Sequence, residues 1–417
     1  MTETPHTRVI IAGGGLGGLT LAAGLLKRGI AVTVFERDTD LSKTGGYHIH
    51  LDAEATAALR DSVEPIVFER LLASSASTRL QGGDIMRDMR GRILFRDRPR
   101  DDDAGVNIDR ITLRLILADA VGDALVRGAV VSGFAPTASG VTVTLEDGTE
   151  HNGDLLVGAE GPHSPIAREL AGGPTNTPTG LIGIGGRTPV DQLPTRAREL
   201  LGDDSGLAIG PGGTGLYVGY HDPVGQAAIA APELASAVTV RPTYIWGAVL
   251  SESPQTEALR PLVGGELRDA TVELLRRNGW TSPMLDVVTA TEVDGLATFR
   301  FHAGSPDPTK LAPWAASRVT ALGDAVHAMP PTAGMGAATA IQDAADLARR
   351  LGGVREGTTT IRAAVHAFEH GMRQRGAAAI ALSLRPIGMI HATNSPVGRI
   401  AARIGLPIGA ALAKLRR

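Results

Sequence analysis

A run of glycines near the start of the chain constrains the fold more than any other feature. Gly13, Gly15 and Gly18 follow the short apolar stretch Arg8–Ala12 and open a helical pattern from Leu16 to about Arg28, which Gly29 stops. Ala31–Phe35 is then a second buried strand ending at Glu36 and Arg37. The spacing predicts a strand–helix–strand unit whose first glycine allows a tight turn. The second lets backbone approach a diphosphate, and the third lets helix and strand pack closely. Leu16, Gly17 and Gly18 lie in the first helical turn, whose N–H groups and positive dipole end suit an anion. Glu36 stands where an acidic residue accepts ribose hydroxyls, with Arg37 beside it.

Composition narrows what such a unit can serve. The chain has 417 residues and a formal charge of −3, long enough for two or three packed domains and without the basic excess of a nucleic-acid binder. There is no cysteine, which excludes disulfides, thiolate metal sites and a cysteine nucleophile. Redox chemistry would fall to a bound cofactor. The polar stretch from Met1 to Arg8 has no signal-peptide pattern, and no charge-free run of about 18 apolar residues occurs. The expectation is a cytoplasmic monomer or homodimer with no integral membrane association, acting on a small molecule.

Further along, Gly45–Asp52 is strand-like, Asp97–Asp103 is a polar connection, and Asn107–Val126 has helical spacing. Val141–Leu145 and Asp154–Val157 are strands about the Asp147-Gly148 turn. Between Leu181 and Leu250 lie β-rich runs, among them Leu216–Tyr220 and Thr243–Leu250. Arg318–Leu322 returns to a buried strand, and from Gly336 the chain is helical.

That last strand leads into Gly323-Asp324-Ala325-Val326-His327, then Pro330-Pro331 and Gly334-x-Gly336. With the first glycine motif and the segment Asp154–Arg168, this ordered trio resembles the single-component FAD-dependent aromatic hydroxylases, which share the para-hydroxybenzoate hydroxylase fold and are related to tetracycline-inactivating monooxygenases. The resemblance implies an α/β protein: a Rossmann-type FAD-binding domain, an inserted β-rich substrate domain and a C-terminal helix. It divides the chain into FAD-binding parts at 1–75, 104–175 and 291–370, substrate parts at 76–103 and 176–290, and a helical segment at 371–417. It implies FAD, NADPH or NADH, and O₂, with a flavin C4a-hydroperoxide hydroxylating an aromatic or polyketide-like substrate.

The resemblance also assigns roles by position. Asp324, preceded by Gly323, would bond the ribityl chain, and Pro331 would lie against the isoalloxazine. Gly334 and Gly336 would shape the turn, and the N–H groups of Ala337 and Ala338 would face the flavin N1 and C2 carbonyl, where a helix N-terminus favours the charge of reduced flavin. Arg110 matches an Arg-x-x-Leu helix whose arginine contacts FAD, leaving Arg114 as a surface residue. Glu160-Gly161 stands where the family has Asp-Gly, and Arg168 lies one residue further from Ser164 than is common. Backbone near His48 and Ile49 would touch the flavin.

No catalytic side chain is required beyond the flavin, and no metal is expected. Substrate candidates are His50, Tyr217, Tyr220, Trp246, Phe299, Phe301, His302 and Met335, while His327 is read as structural. His48, His50 and Asp52 alternate on one strand face, imitating a two-histidine, one-carboxylate iron site; strain across so short a strand argues against it. The Trp-x-Trp-x-Ile-Pro signature of flavin halogenases is absent. An FAD-dependent reductase of the same fold and a flavin binder with little turnover remain as alternatives. After Glu369 the chain has no acidic residue and eight basic ones, in a helix read as packed on the domains with its charges solvated.

Overall fold

The computed structural model describes residues 7–43, 48–81, 84–96 and 104–405. Residues 45–47 of the expected Gly45–Asp52 strand, the connection 97–103, and Lys414, Arg416 and Arg417 lie outside them. The Gly-motif unit forms as expected. Arg8–Ala12 is a fully paired central strand between Ala31–Glu36 and Leu155–Gly158, and all neighbours run parallel. Val319–Ala321 and Leu125–Arg127 extend this five-stranded sheet at its two edges. Parallel strands are buried on both faces, which is why they read as unbroken apolar runs.

Two helices cover one face. Leu16–Lys27 and Gly336–Arg355 pack closely because small residues line their contact. A Cβ on Gly17 would lie 3.4 Å from Ala340 Cβ, and one on Gly24 would lie 2.9 Å from Ala348 Cβ. The contacts advance together along both helices, so the two run parallel and their N-termini share one end.

The inserted unit is a seven-stranded sheet in the order Glu292–Ala303, Thr177–Pro189, Thr243–Ser251, Thr214–His221, Ser205–Gly210, Asp84–Asp88 and Ile93–Arg96. Its outer face packs Ile182, Ile184, Leu216, Tyr244 and Trp246 against Leu267, Leu275, Leu285 and Val288 of the helices Gly264–Arg277 and Ser282–Thr289. Its inner face packs Leu181, Val249 and Phe301 against Ile387 and Ile390 of the long helix Ile361–Ala392. Because Glu292–Ala303 pairs with Thr177–Pro189, the return to the cofactor domain falls beyond Ala303, later than the 290/291 boundary expected from sequence. The 107–126 segment is also shorter in helix than expected: Val106–Asp109 is a strand and the helix is Arg110–Val121, capped by Asp109 Oδ1 accepting from Ile111 and Thr112 N–H.

Candidate active site

The first helix begins at Leu16 with no side-chain cap and no acidic residue in its first turn. The Gly336 helix begins in the same way after Met335. Uncapped first-turn N–H groups need partners, and here two sets of them lie side by side. The space in front is open: a Cβ on Gly15 or on Gly334 would meet nothing within 4 Å. Gly13 and Gly18 are crowded instead. Gly13 has φ +104° and lies against Ala159 and Glu160, and a Cβ on Gly18 would come within 2.1 Å of the Gly13 carbonyl. The motif thus divides into glycines the fold needs and one, Gly15, that only a ligand needs.

Glu36 is buried and accepts from Gly14 N–H at 2.6 Å and Asp38 N–H at 2.7 Å. Arg114 completes the arrangement: its Nε donates to the Gly14 carbonyl at 2.9 Å, and its guanidinium pairs with Glu36 at 3.1 Å and Asp38 at 2.8 Å. Arg114 is 4% exposed, so the expectation of a surface arginine is overturned. It ties the glycine turn to the acidic strand end. Arg37 is exposed, 3.8 Å from Asp38.

Asp324 is accessible to solvent, yet protein surrounds its carboxyl closely enough that loss of water raises its pKa above the ordinary range, against the pull of His327 and Arg110. A Cβ on Gly336 would lie 3.9 Å from its Oδ1, so the carboxyl sits at the start of the second helix. His327 is fully buried with Nε2 2.5 Å from Asp343 Oδ2, and Arg375 holds the other oxygen at 3.0 Å. Burial lowers the His327 pKa, but Asp343 outweighs this and the net shift is upward. His327 therefore anchors the segment to the long helix.

Glu160 belongs to its own loop: Ser164 Oγ donates to it at 2.6 Å, and burial raises its carboxyl above the usual range. Gly161 is open, and Arg168 is exposed. Pro331 is exposed, Met335 and Ala337 are half-buried, and Ala338 is buried in the first turn of its helix.

The strand His48–Leu51 pairs with Val106–Asp109 and places Ile49 in the core. Asp52 caps the next helix by accepting from Ala55 N–H, and His50 Nδ1 lies 3.0 Å from Asn107 Oδ1. Among the described residues no cluster suited to a metal ion occurs. His48 faces the inserted sheet, its ring 6.4 Å from Tyr217 and edge-on to His221 at 5.8 Å. Burial and the neighbouring His221 lower the His48 pKa to about 3, and burial lowers that of His221 to about 4. Neither ring nitrogen of His221 has a partner among the described residues, nor does His48 Nδ1. Behind them Arg187 pairs with the fully buried Asp109. Sequence reasoning missed His221, Arg187 and Asp109; only the inner-face register of Thr214–His221 could have grouped His221 with Tyr217.

The substrate candidates separate by strand parity. Tyr217, Phe299 and Phe301 share the inner face, where a Cβ on Gly247 would meet open space. Trp246 and Tyr220 point outward. Trp246 is sealed in the outer core with Nε1 donating to Thr291 at 3.1 Å, and Tyr220 packs edge-on against Tyr244. Neither can line the cleft. His302 has opposite parity to Phe301 and stacks edge-on with His163 at 5.0 Å, so it too faces away from the inner face. His50 is exposed beside Asn107 on the small sheet.

Comparison with known proteins agrees with this geometry. Residues 11–48 match the NAD(P)-binding Rossmann-like domain family and residues 307–382 the FAD binding domain family. The chain is 32% identical over 351 residues to aurachin C monooxygenase/isomerase of Stigmatella aurantiaca, covering 82% of this chain and 80% of that protein. It is 29% identical to zeaxanthin epoxidase of Oryza sativa subsp. japonica, across 84% of this chain but 49% of that protein, so it spans about half the length of such relatives. Among solved structures, an FAD-containing monooxygenase of Photorhabdus luminescens superposes with TM-score 0.75 at 23% identity, covering 91% of this chain and 97% of that one. Klebsiella pneumoniae HpxO complexed with FAD and uric acid gives 0.71 at 20%, covering 98% and 94%. Open glycines before two converging, uncapped helix ends suit a dinucleotide with an anionic diphosphate and an electron-rich ring, and with these relatives they place the chain in the FAD-dependent monooxygenase family.

Proposed function

We propose that this enzyme uses NADPH or NADH and O₂ to insert one oxygen atom into a small aromatic or polyketide-like molecule held between the cofactor cleft and the inner face of the inserted sheet. The observation that carries this reading is the pairing of two parallel helix N-termini before one open space, with Tyr217 and Phe299 on the inner face of the inserted sheet and His48 facing that sheet from the strand His48–Leu51.

FAD, when bound, supplies the electron transfer to O₂ and the oxygen transfer itself. The chain supplies binding, orientation and dryness. Gly13, Gly15, Leu16, Gly17 and Gly18 would hold the diphosphate, with Glu36 near the ribose. Asp324 and Arg110 would take the sugar chain, and the first turn at Gly336, Ala337 and Ala338 would face the ring edge that gains negative charge. His48, with Ile49 seated in the core beneath it, has its pKa lowered to about 3 by burial and by His221, and as a neutral ring it would bond a substrate hydroxyl without carrying charge into the site. Tyr217 and Phe299 would supply ring faces, and with a substrate seated on them the inner face would keep water from the reacting atoms.

The test is a single turnover under ¹⁸O₂ with FAD-loaded protein, NADPH or NADH, and a panel of phenols, polyketide quinones and tetracycline. One labelled oxygen in the product is the expected result. Product formed by NAD(P)H-dependent turnover with no label would instead identify an FAD-dependent reductase on the same fold.

A further inference from the structure

The long helix Ile361–Ala392 has two faces of different use. Its inner side packs Ile387 and Ile390 on the inserted sheet. On the opposite side Ala378, Ala381, Leu382, Arg385, Gly388, Met389 and Ala392 recur at helical spacing and are all exposed, a stripe with a single charge. Leu382 and Met389 are 40% and 41% exposed. The stripe continues into the helix Pro396–Ile400, where Val397 and Ile400 are 78% and 62% exposed beside Arg399, with Arg403 exposed just beyond.

Charge is segregated in the same direction. None of the 44 Asp and Glu lies beyond Glu369, whereas eight of the 41 Lys and Arg do; the chain is therefore formally −11 up to that point and +8 after it. Arg373 and Arg375 are engaged inward, with the Leu311 and Ala312 carbonyls and with Asp343. Arg385, Arg399 and Arg403 are at the surface, Arg399 donating to the Asn394 carbonyl and Oδ1 at 3.2 Å while still exposed. An apolar stripe flanked by arginines, on helices with no carboxylate beyond Glu369 and with Glu273 near Arg399 from a neighbouring helix, matches a bilayer interface with anionic headgroups, where apolar burial and cation attraction act together. Among the described residues no helix is long and apolar enough to cross a membrane, so contact would be along the surface.

We propose that the outer face of Ile361–Ala392, with Pro396–Ile400, docks this enzyme on an anionic lipid surface. The same helix then separates the bilayer from the inner face of the inserted sheet, and a lipid-dissolved substrate would reach that sheet around its edges.

The test is co-sedimentation of the FAD-loaded full chain with two kinds of vesicle: phosphatidylcholine alone, and phosphatidylcholine with about 30% phosphatidylglycerol. Binding to the anionic vesicles at low salt and its loss in about 0.5 M salt are expected. Arg385→Gln with Arg399→Gln should weaken binding roughly thirty-fold, at about one kcal/mol per cation. Leu382→Glu with Met389→Glu should abolish it, while the bound-flavin spectrum and Tm show that each variant is folded. No sedimentation with anionic vesicles, or equal sedimentation with both kinds, overturns the proposal. So does a homodimer in light scattering that Leu382→Glu with Met389→Glu converts to monomer, since the stripe would then be a protein interface.

Discussion

The two ends of the cleft handle their polar groups in opposite ways. At the glycine-motif end Glu36 accepts two N–H groups and an arginine, and Arg114 spends its fork on Gly14, Glu36 and Asp38. At the sheet end His221 is fully buried, and among the described residues neither of its ring nitrogens has a partner, nor does Nδ1 of His48. The first arrangement is complete before any ligand arrives, so its parts serve the fold and the cofactor together. The second has ring nitrogens with no protein partner among the described residues, open to a bound ligand or water; a buried group of this kind costs about 1–3 kcal/mol only when nothing pairs with it. A completed network tolerates no removal. An incomplete one should tolerate change in the fold and show it in pH response and ligand choice.

The largest effect should come from Arg114→Met. It leaves Glu36 buried without its cation and the Gly14 carbonyl without a donor. Breaking one side of a buried pair costs about 3–5 kcal/mol, measurable as a shift in urea unfolding of the apoprotein. Arg114→Lys keeps the charge but loses the fork, so it should recover only part of this. Unfolding within about 1 kcal/mol of wild type for Arg114→Met would show that the glycine turn does not depend on the arginine.

Next comes a separation within the glycine motif. Gly15 has φ −78° and open space at its Cβ position, so Gly15→Val should leave apoprotein stability nearly unchanged. The added methyls would occupy the diphosphate position, and losing charge-assisted bonds of about 1.5–3 kcal/mol each lowers FAD affinity roughly a hundred-fold or more. Gly18→Ala should damage both, because its Cβ meets backbone that cannot move aside. Equal FAD affinity for Gly15→Val and wild type, by flavin fluorescence titration, would place the diphosphate elsewhere.

These contrasts show what sequence could convey. The glycine turn was readable because glycine marks a backbone constraint that no side chain can satisfy. The choice between Arg110 and Arg114 was not, since residues four apart share a helix face and only the position of Asp38 and Glu36 decides which arginine is drawn in. Trp246 and Tyr217 were not separable for a related reason. The strand Thr243–Ser251 is covered on both faces, so no alternating polar residue tells inside from outside.

The sheet-end histidines predict a pH response of defined sign. Both are held neutral well below the ordinary imidazole value of 6.5, at about 3 for His48 and about 4 for His221. The unfolded chain takes up these protons first as pH falls. Their contribution is therefore present above pH 6.5 and lost progressively below it, toward pH 4 and then 3. The groups acting on the pair are Asp109, Asp222, Arg187 and His50. His327, with its raised value, changes above 6.5 and has the opposite sign. His221→Phe should lessen the stability loss between pH 6.5 and 4.5 by about 2 kcal/mol, at about 1.4 kcal/mol per unit. Parallel stability-versus-pH curves for the variant and wild type would mean that His221 is solvated and takes up its proton at an ordinary pH.

The smallest effect sharpens the comparison at the cofactor end. Ser164 caps its helix by accepting from Ala167 N–H at 3.0 Å and donates to Glu160 at 2.6 Å, holding the residue that replaces the family's usual aspartate. Ser164→Ala removes the cap, at about 1 kcal/mol, and the bond that opposes the upward pKa shift of Glu160. The Glu160 loop lies against Gly13, whose Cβ position is 2.9 Å from Glu160 N. The change should therefore appear as a few-fold loss of FAD affinity, with the pH response of the sheet-end histidines untouched. If the variant instead altered that pH response, the two ends would be coupled and their separation into a completed and an open network would fail.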